Sequence, residues 1–273
     1  MSLEEITSPT TDAATLLAAG AALSTPEVVG TTPYAVIPDG YQLHNLEKLL
    51  ATPSRKRGNT LLTEAASFIA VVNDQKTGAT RLYCQTGNKP GFTAVFNDTH
   101  VDAGWRDHRA TYVPLLSPEW LIWAGANGRQ QTQADFAQFI EANLPDIAEP
   151  SGADVLAVSR TLEAKKKVNF ASSIRLSDGS HQFTYEEDVQ GSAHKGQLKV
   201  PEVFVLAIPV FEGSDPRRIE ARLRYRIGDG GKLAIWYELV RPHKVIEAAT
   251  LDLRKQIADG TGMTPLAGMP AAE

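Results

Sequence analysis

The order of apolar and polar positions predicts a first half built of short strands and helices. Strands are expected at Arg81–Gln85, Phe92–Asn97 and Ala110–Leu115, because clusters of Gly, Asn, Asp and Pro separate their apolar runs. Apolar residues at helical spacing follow at Pro118–Ala124 and Gln131–Asn143. This half therefore has the order β-β-β-α.

The rest of the chain predicts further helices and a second half dominated by strands. Helical spacing of apolar residues is found at Asp12–Leu23, Leu61–Asn73, Gly152–Phe170 and Val245–Ile257. Strand patterns are found at His181–Glu186, Val200–Phe211, Arg218–Ile227 and Leu233–Val240. The segment Gln190–Gly196 contains two glycines and is expected to be a loop.

Together these elements predict an α+β fold in which antiparallel sheets pack against helices. We expect residues 1–30 to form an N-terminal helical arm and residues 31–258 to form a single α+β domain. A division of that domain into subdomains at 31–150 and 151–258 stays open. Residues 259–273 are rich in Gly, Pro, Ala and Met, so a flexible tail is expected there.

The densest cluster of positive charge lies in one predicted strand. Five arginines fall within residues 217–226. Because side chains alternate between the two faces of a strand, the arginines at 218, 222, 224 and 226 share one face with Glu220. The apolar residues Ile219, Leu223, Tyr225 and Ile227 point the other way, toward a core.

A Gly-rich turn joins this strand to the next one, and the matching of their apolar faces predicts the register. That register places Arg224 beside Trp236 and Arg222 beside Glu238. A solvated sheet face would hold a cation–π pair and an exposed salt bridge at these positions. A nucleic-acid interface would use the arginines as phosphate contacts and Trp236 as a stacking platform.

Composition restricts the classes of protein that fit this pattern. The chain has 273 residues, with 27 Lys and Arg against 32 Asp and Glu, and its net charge of −5 excludes a molecule that is basic all over. A nucleic-acid site must then be local, and Arg55–Arg57 and Lys165–Lys167 are further basic tracts for it. The single cysteine, Cys84, excludes an intramolecular disulfide. No signal peptide or membrane-spanning run is recognised, so a cytoplasmic location is expected.

A second candidate site lies between the second and third strands. Asp98, His100, Asp107 and His108 bring carboxylates and imidazoles to the end of a strand, and such side chains can hold a hydrolytic metal ion. Their spacing matches no known metal motif, and a polar loop held by Asp, Asn and His caps also explains it.

Several motifs resemble the YfdQ-like family of phage and prophage proteins over Tyr34–Ile257. The matching residues are Ile37–Tyr41, Arg55–Gly58 with Ser67-Phe68, Asn97-Asp98-x-His100 with Gly104–His108, Glu119-Trp120-x-x-Trp123, Phe136-Ala137-x-Phe139-Ile140-Glu141, and Arg222-x-Arg224-Tyr225-Arg226. The resemblance implies a phage or prophage origin and genes that often lie near replication and recombination functions. It brings no established catalytic residues. At the level of fold, the β-β-β-α order is similar to that of phage single-strand annealing proteins.

The leading hypothesis is a non-enzymatic phage early protein that binds single-stranded DNA and assists recombination or replication. The residues expected to bind DNA are Arg222, Arg224, Arg226 and Trp236, with help from Arg55, Lys56 and Arg57. We expect a homo-oligomer with no cofactor and no membrane contact, and with phage or host recombination proteins as further partners. One alternative is a nuclease or phosphohydrolase with a divalent metal at the Asp/His cluster. Another is a structural or host-interaction protein without enzymatic activity.

Overall fold

The computed structural model describes residues 9–23, 27–29, 32–34, 47–87, 89–98, 104–164, 169–189, 192–228 and 232–270. The chain divides into two compact units, Met1–Lys56 and Arg57–Glu273. In the first unit the described elements are helix α1 (Pro9–Leu23), the hairpin of β1 (Glu27–Val29) and β2 (Thr32–Tyr34), and a 3-10 turn at Glu47–Leu49. The helix predicted at Asp12–Leu23 is therefore confirmed.

The second unit contains two five-stranded sheets. The first sheet consists of β3 (Gly58–Leu62), β4 (Arg81–Gln85), β5 (Gly91–Val95), β6 (His108–Tyr112) and β15 (Leu266–Ala267), in the spatial order β15-β4-β5-β6-β3. The three consecutive strands predicted from the sequence are present as β4, β5 and β6. The structure pairs them as an antiparallel meander, whereas β3 and β15 are parallel to their neighbours. Helix α2 (Ala65–Gln75) packs on this sheet, with the ring centroid of Phe68 6.1 Å from that of Tyr112.

The second sheet is antiparallel throughout and carries the arginine strand. It consists of β7 (Gln131–Thr132), β8 (Ile147–Glu149), β12 (Val203–Ile208), β13 (Arg217–Ile227) and β14 (Leu233–Leu239), in the order β7-β14-β13-β12-β8. Helices α3 (Pro118–Ala126) and α4 (Gln133–Ala142) contribute side chains to the core on its apolar face. On the other face, Arg218, Arg222 and Arg226 are exposed and Arg224 is half-buried.

A third sheet and two more helices complete the described part of this unit. Strands β9 (Asn169–Arg175), β10 (Ser180–Val189) and β11 (Ser192–Pro201) form an antiparallel sheet, and the helices are α5 (Gly152–Ala164) and α6 (Pro242–Thr261). Tyr225 of β13 packs against this sheet, with its ring centroid 4.8 Å from that of Phe183 and 5.1 Å from that of His181. The predicted α+β class with antiparallel sheets is confirmed.

An aromatic cluster holds α3 and α4 against the second sheet. Trp123 is fully buried, and its ring centroid lies 5.2 Å from that of Tyr237 and 5.0 Å from that of Phe139. The indole Nε1–H of Trp123 donates to Asp146 Oδ2 at 2.7 Å, and the Tyr237 hydroxyl donates to the Trp123 carbonyl oxygen at 2.6 Å. Both buried polar groups, the indole N–H and the phenol hydroxyl, thus have hydrogen-bond partners. The face of the second sheet that carries Tyr237 is therefore the buried one.

Three segments differ from the sequence-based expectation. Leu61 and Leu62, predicted to begin a helix, end strand β3, because parallel pairing with β6 binds their backbone. Most of the expected loop 190–196 belongs to β11, which pairs with β10 up to Val189 and Ser192. The helix predicted to reach residue 170 ends at Ala164, and β9 begins at Asn169. In each case, pairing with a distant strand overrides a weak local pattern.

The C-terminal segment also takes part in the fold. The region expected to be a tail from residue 259 completes α6 and then forms β15, which pairs with β4. The guanidinium of Arg254 donates to the carbonyl oxygen of Pro265 at 2.7 Å, which holds the turn between these elements. Within the described residues, no helix is both long and apolar enough to cross a membrane.

Candidate nucleic-acid interface

The arginine face, which we define as Arg218, Glu220, Arg222, Arg224 and Arg226 of β13, is placed as the alternation predicts. Ile219, Ala221 and Leu223, which lie between these residues, are buried. The predicted register is also confirmed: the Cα partner of Arg224 is Trp236, and that of Arg222 is Glu238.

The ion pairs on this face differ from the expected ones. The predicted bridge joined Arg222 to Glu238, but Glu238 Oε2 instead accepts from Arg224 Nε at 2.9 Å. Diagonal neighbours on an antiparallel pair are within reach of long side chains, so Glu238 can bind the arginine one pair further along. At the other end of the strand, Arg218 pairs with Glu149 of β8 at 2.7 Å. Two of the arginines are therefore partly neutralised.

Arg222 and Arg226 are the exposed cations of this face that have no carboxylate partner among the described residues. Trp236 lies on the same side of the sheet and is half-buried, so part of its ring is accessible. Positive charge is therefore concentrated at the C-terminal half of β13, where arginines outnumber glutamates. Flexible cations beside an aromatic ring can contact a phosphate backbone and a base together.

The other basic tracts have different positions. Arg55 and Lys56 lie in the first unit and Arg57 in the second, so this tract crosses the boundary between units. All three side chains are exposed. Their help in DNA binding stays a prediction. Lys165–Lys167 lie outside the described residues.

The Asp/His cluster has a network of its own. Asp98 is buried, and its Oδ1 accepts from Arg106 Nε at 3.0 Å while its Oδ2 accepts from the Tyr83 hydroxyl. Asp107 Oδ1 accepts from the Asn97 amide at 2.9 Å. Such satisfied contacts favour the interpretation of a polar loop held by its own side chains.

The metal interpretation of this cluster stays a prediction. Within the described part of the chain, no three His, Cys, Asp or Glu side chains lie close enough together to hold a metal ion. The ring of His108 packs on Phe96 with the centroids 4.7 Å apart. His100, a member of the predicted set, lies outside the described residues.

The Tyr83–Asp98 contact should make stability depend on alkaline pH. The hydrogen bond to Asp98, followed by burial, raises the pKa of Tyr83 above its usual value of 10.0. The unfolded chain therefore loses this proton first, so the contribution to stability is complete below pH 10 and is lost as pH rises through the raised pKa. Tyr83→Phe should cost about 1–2 kcal/mol at pH 8, and this cost should shrink at pH 11. Urea denaturation at both pH values measures it, and an unchanged cost would contradict the argument.

The structure also contains a cleft that the sequence did not indicate. The hairpin cleft, as we call it, has a volume of about 770 Å³ and lies between the C-terminal end of α3, the start of α4 and the β13–β14 hairpin. Arg129, Arg226 and Lys232 line it together with the apolar Ile122 and Phe139. Sequence reasoning missed it because Arg129 and Arg226 are almost a hundred residues apart. The Asn127-Gly128 pair predicts a turn, but it does not indicate that this turn lies beside the β13–β14 hairpin.

The Asn127-Gly128 turn is fixed to the edge of β14. The Gly128 N–H donates to the Tyr237 carbonyl oxygen at 2.8 Å, and Asn127 Oδ1 accepts from the Leu239 N–H at 2.9 Å. Gly128 has a φ of 74°, in the left-handed region that favours glycine. This turn places Arg129 beside the hairpin of the arginine face.

Comparison with known proteins identifies the family of the chain. No curated protein matches it, and no solved structure matches it. A family described as an uncharacterized conserved protein (DUF2303) matches residues 8–270, which is nearly the whole sequence. The chain therefore belongs to the DUF2303 family.

Proposed function

We propose that this protein binds single-stranded DNA through the C-terminal half of the arginine face. Arg222 and Arg226 contact phosphates directly, Arg224 contacts a phosphate by exchanging its ion pair with Glu238, and Trp236 stacks on a base. The protein acts as a non-enzymatic accessory to recombination or replication. A phage or prophage origin is part of this proposal and rests on the motif resemblance described above. A homo-oligomeric state is also part of it, because self-assembly would multiply a weak local patch of positive charge.

The observation that carries the proposal is the exposure of Arg222 and Arg226 without carboxylate partners in the described structure, beside an accessible part of Trp236. A face that only kept the sheet solvated would be expected to balance all of its charges, as the Arg218–Glu149 and Arg224–Glu238 pairs do. Same-face residues recur about every 6.6 Å along a strand, so three arginines can follow successive phosphates of an extended chain.

Binding to labelled oligo(dT) should depend strongly on salt. The two arginines without carboxylate partners make two net phosphate contacts that release counterions, so the logarithm of the binding constant should fall with log[salt] at a slope of about −1.4 per chain. Between 50 and 200 mM salt, the affinity should then drop by roughly sevenfold. Fluorescence anisotropy over this range measures the slope. A slope near zero, or no binding at 50 mM, would overturn the proposal.

A further inference from the structure

The hairpin cleft has the chemistry of a nucleotide site, and we infer that it binds a nucleoside phosphate. This inference rests on the proposed function and extends it, because Arg226 belongs both to the arginine face and to the cleft. A DNA strand that follows the arginines toward the end of β13 reaches the cleft at this residue.

The charge lining the cleft favours a phosphate. Arg129, Arg226 and Lys232 are exposed, and no ion pair involves them within the described residues. Asp135 is the carboxylate among the lining residues, and its Oδ2 already accepts from Thr132 Oγ1 at 2.8 Å. Three cations against one engaged carboxylate leave a net positive cleft, which attracts an anion with several oxygens.

The apolar part of the cleft favours a base over a simple anion. Ile122 is 46% exposed although it is apolar, and Phe139 is only partly buried. Both line the same cleft as the cations. A volume of about 770 Å³ lies within the range of small-molecule sites, and such sites usually combine apolar walls with a few placed polar groups.

The cleft is held in shape before any ligand binds. The turn before Arg129 is hydrogen-bonded to β14, as described above, and β7 pairs with Ala234 and Ile235 of the same strand. The Gly228 N–H donates to the Lys232 carbonyl oxygen at 2.9 Å, which closes the hairpin on the opposite side. Preorganised walls reduce the entropy lost on binding.

The test compares dTMP with oligo(dT) on the full chain and on two variants. Calorimetry should detect dTMP binding, and Arg129→Ala with Lys232→Ala should weaken it by about tenfold or more. The control Arg222→Ala lies on the arginine face outside the cleft, so it should keep dTMP binding while weakening oligo(dT) binding. Both variants change exposed side chains, and thermal denaturation should show that their folds are retained.

Ligand controls separate the parts of the inference. Thymidine and inorganic phosphate should each bind at least tenfold more weakly than dTMP, and phosphate binding as tightly as dTMP would overturn the nucleoside assignment.

Displacement of dTMP by oligo(dT) supports entry of a DNA strand into the cleft, and the absence of displacement supports a free nucleotide as the ligand. If oligo(dT) binds with the expected salt slope but dTMP does not, or if the cleft variant leaves dTMP binding unchanged, this inference fails alone. If oligo(dT) does not bind, the proposed function fails, and the dTMP result still decides on the cleft.

Discussion

Reversing the charges of Arg222 and Arg226 together should weaken oligo(dT) binding by about a hundredfold at 50 mM salt. Each exposed cation that hydrogen-bonds a phosphate contributes roughly 1.5 kcal/mol, close to a factor of ten in affinity. Arg222→Glu with Arg226→Glu removes two such contacts and adds repulsion of the phosphates. Anisotropy titration of both proteins gives the ratio directly.

A matched control separates this local effect from the change in total charge. Lys89→Glu with Lys255→Glu makes the same change in net charge at two exposed positions outside the arginine face. We expect this control to lose less than about threefold, because neither lysine belongs to β13 or lines the hairpin cleft, and salt weakens the attraction of exposed charges that do not touch the DNA. Equal losses in both variants would show that the attraction is general and that the arginine face is not the site. Circular dichroism should show folded protein in each case.

Replacing Trp123 with Ala should lower the free energy of unfolding by about 3–5 kcal/mol. The indole is fully buried among aromatic rings, and its removal leaves a cavity and takes the donor from Asp146. Such a loss is a large part of the stability of a typical domain. Urea denaturation measures the change, and Trp123→Phe, which retains a ring, should cost less than the alanine variant.

Trp236 provides the matched tryptophan on the other face of the same sheet. It is half-buried, so Trp236→Ala should cost about 1 kcal/mol of stability or less. The same change should weaken oligo(dT) binding by about tenfold, because stacking of a base on an aromatic ring contributes roughly 1–3 kcal/mol. Equal destabilisation by the two alanine variants, or unchanged DNA binding by Trp236→Ala, would contradict the roles assigned to the two faces.

The arginine hairpin shows how much of the site could be read from the sequence. Period-two alternation and matched apolar faces gave both the exposed side of β13 and its pairing with β14, because these rules are local. The ion pair of Glu238 with Arg224 could not be read in this way. Its geometry depends on the diagonal offset and on side-chain reach across two strands, so two neighbouring arginines compete for one carboxylate.

Strands whose conformation depends on pairing with a distant segment were harder to predict from the sequence. Strands β4, β5 and β6 were predicted because turn residues separate them, whereas β3 and β11 were missed. Strand β3 owes its conformation to parallel pairing with β6, and β11 begins within a Gly-containing stretch that lacks strand signals. The backbone N–H and C=O groups of such segments find their hydrogen-bond partners on a strand that is distant in the sequence, and these partners are in place only in the folded chain.

The sequence by itself determined the α+β class, the alternation and register of the arginine hairpin, and the absence of a basic charge over the whole molecule. The tertiary structure alone decided which arginines are paired, and it brought Arg129 to the cleft that Arg226 and Lys232 line. The reason is the range of the forces involved. Side-chain periodicity acts between neighbours along one strand, but a binding surface is assembled by packing between segments that are far apart in the chain.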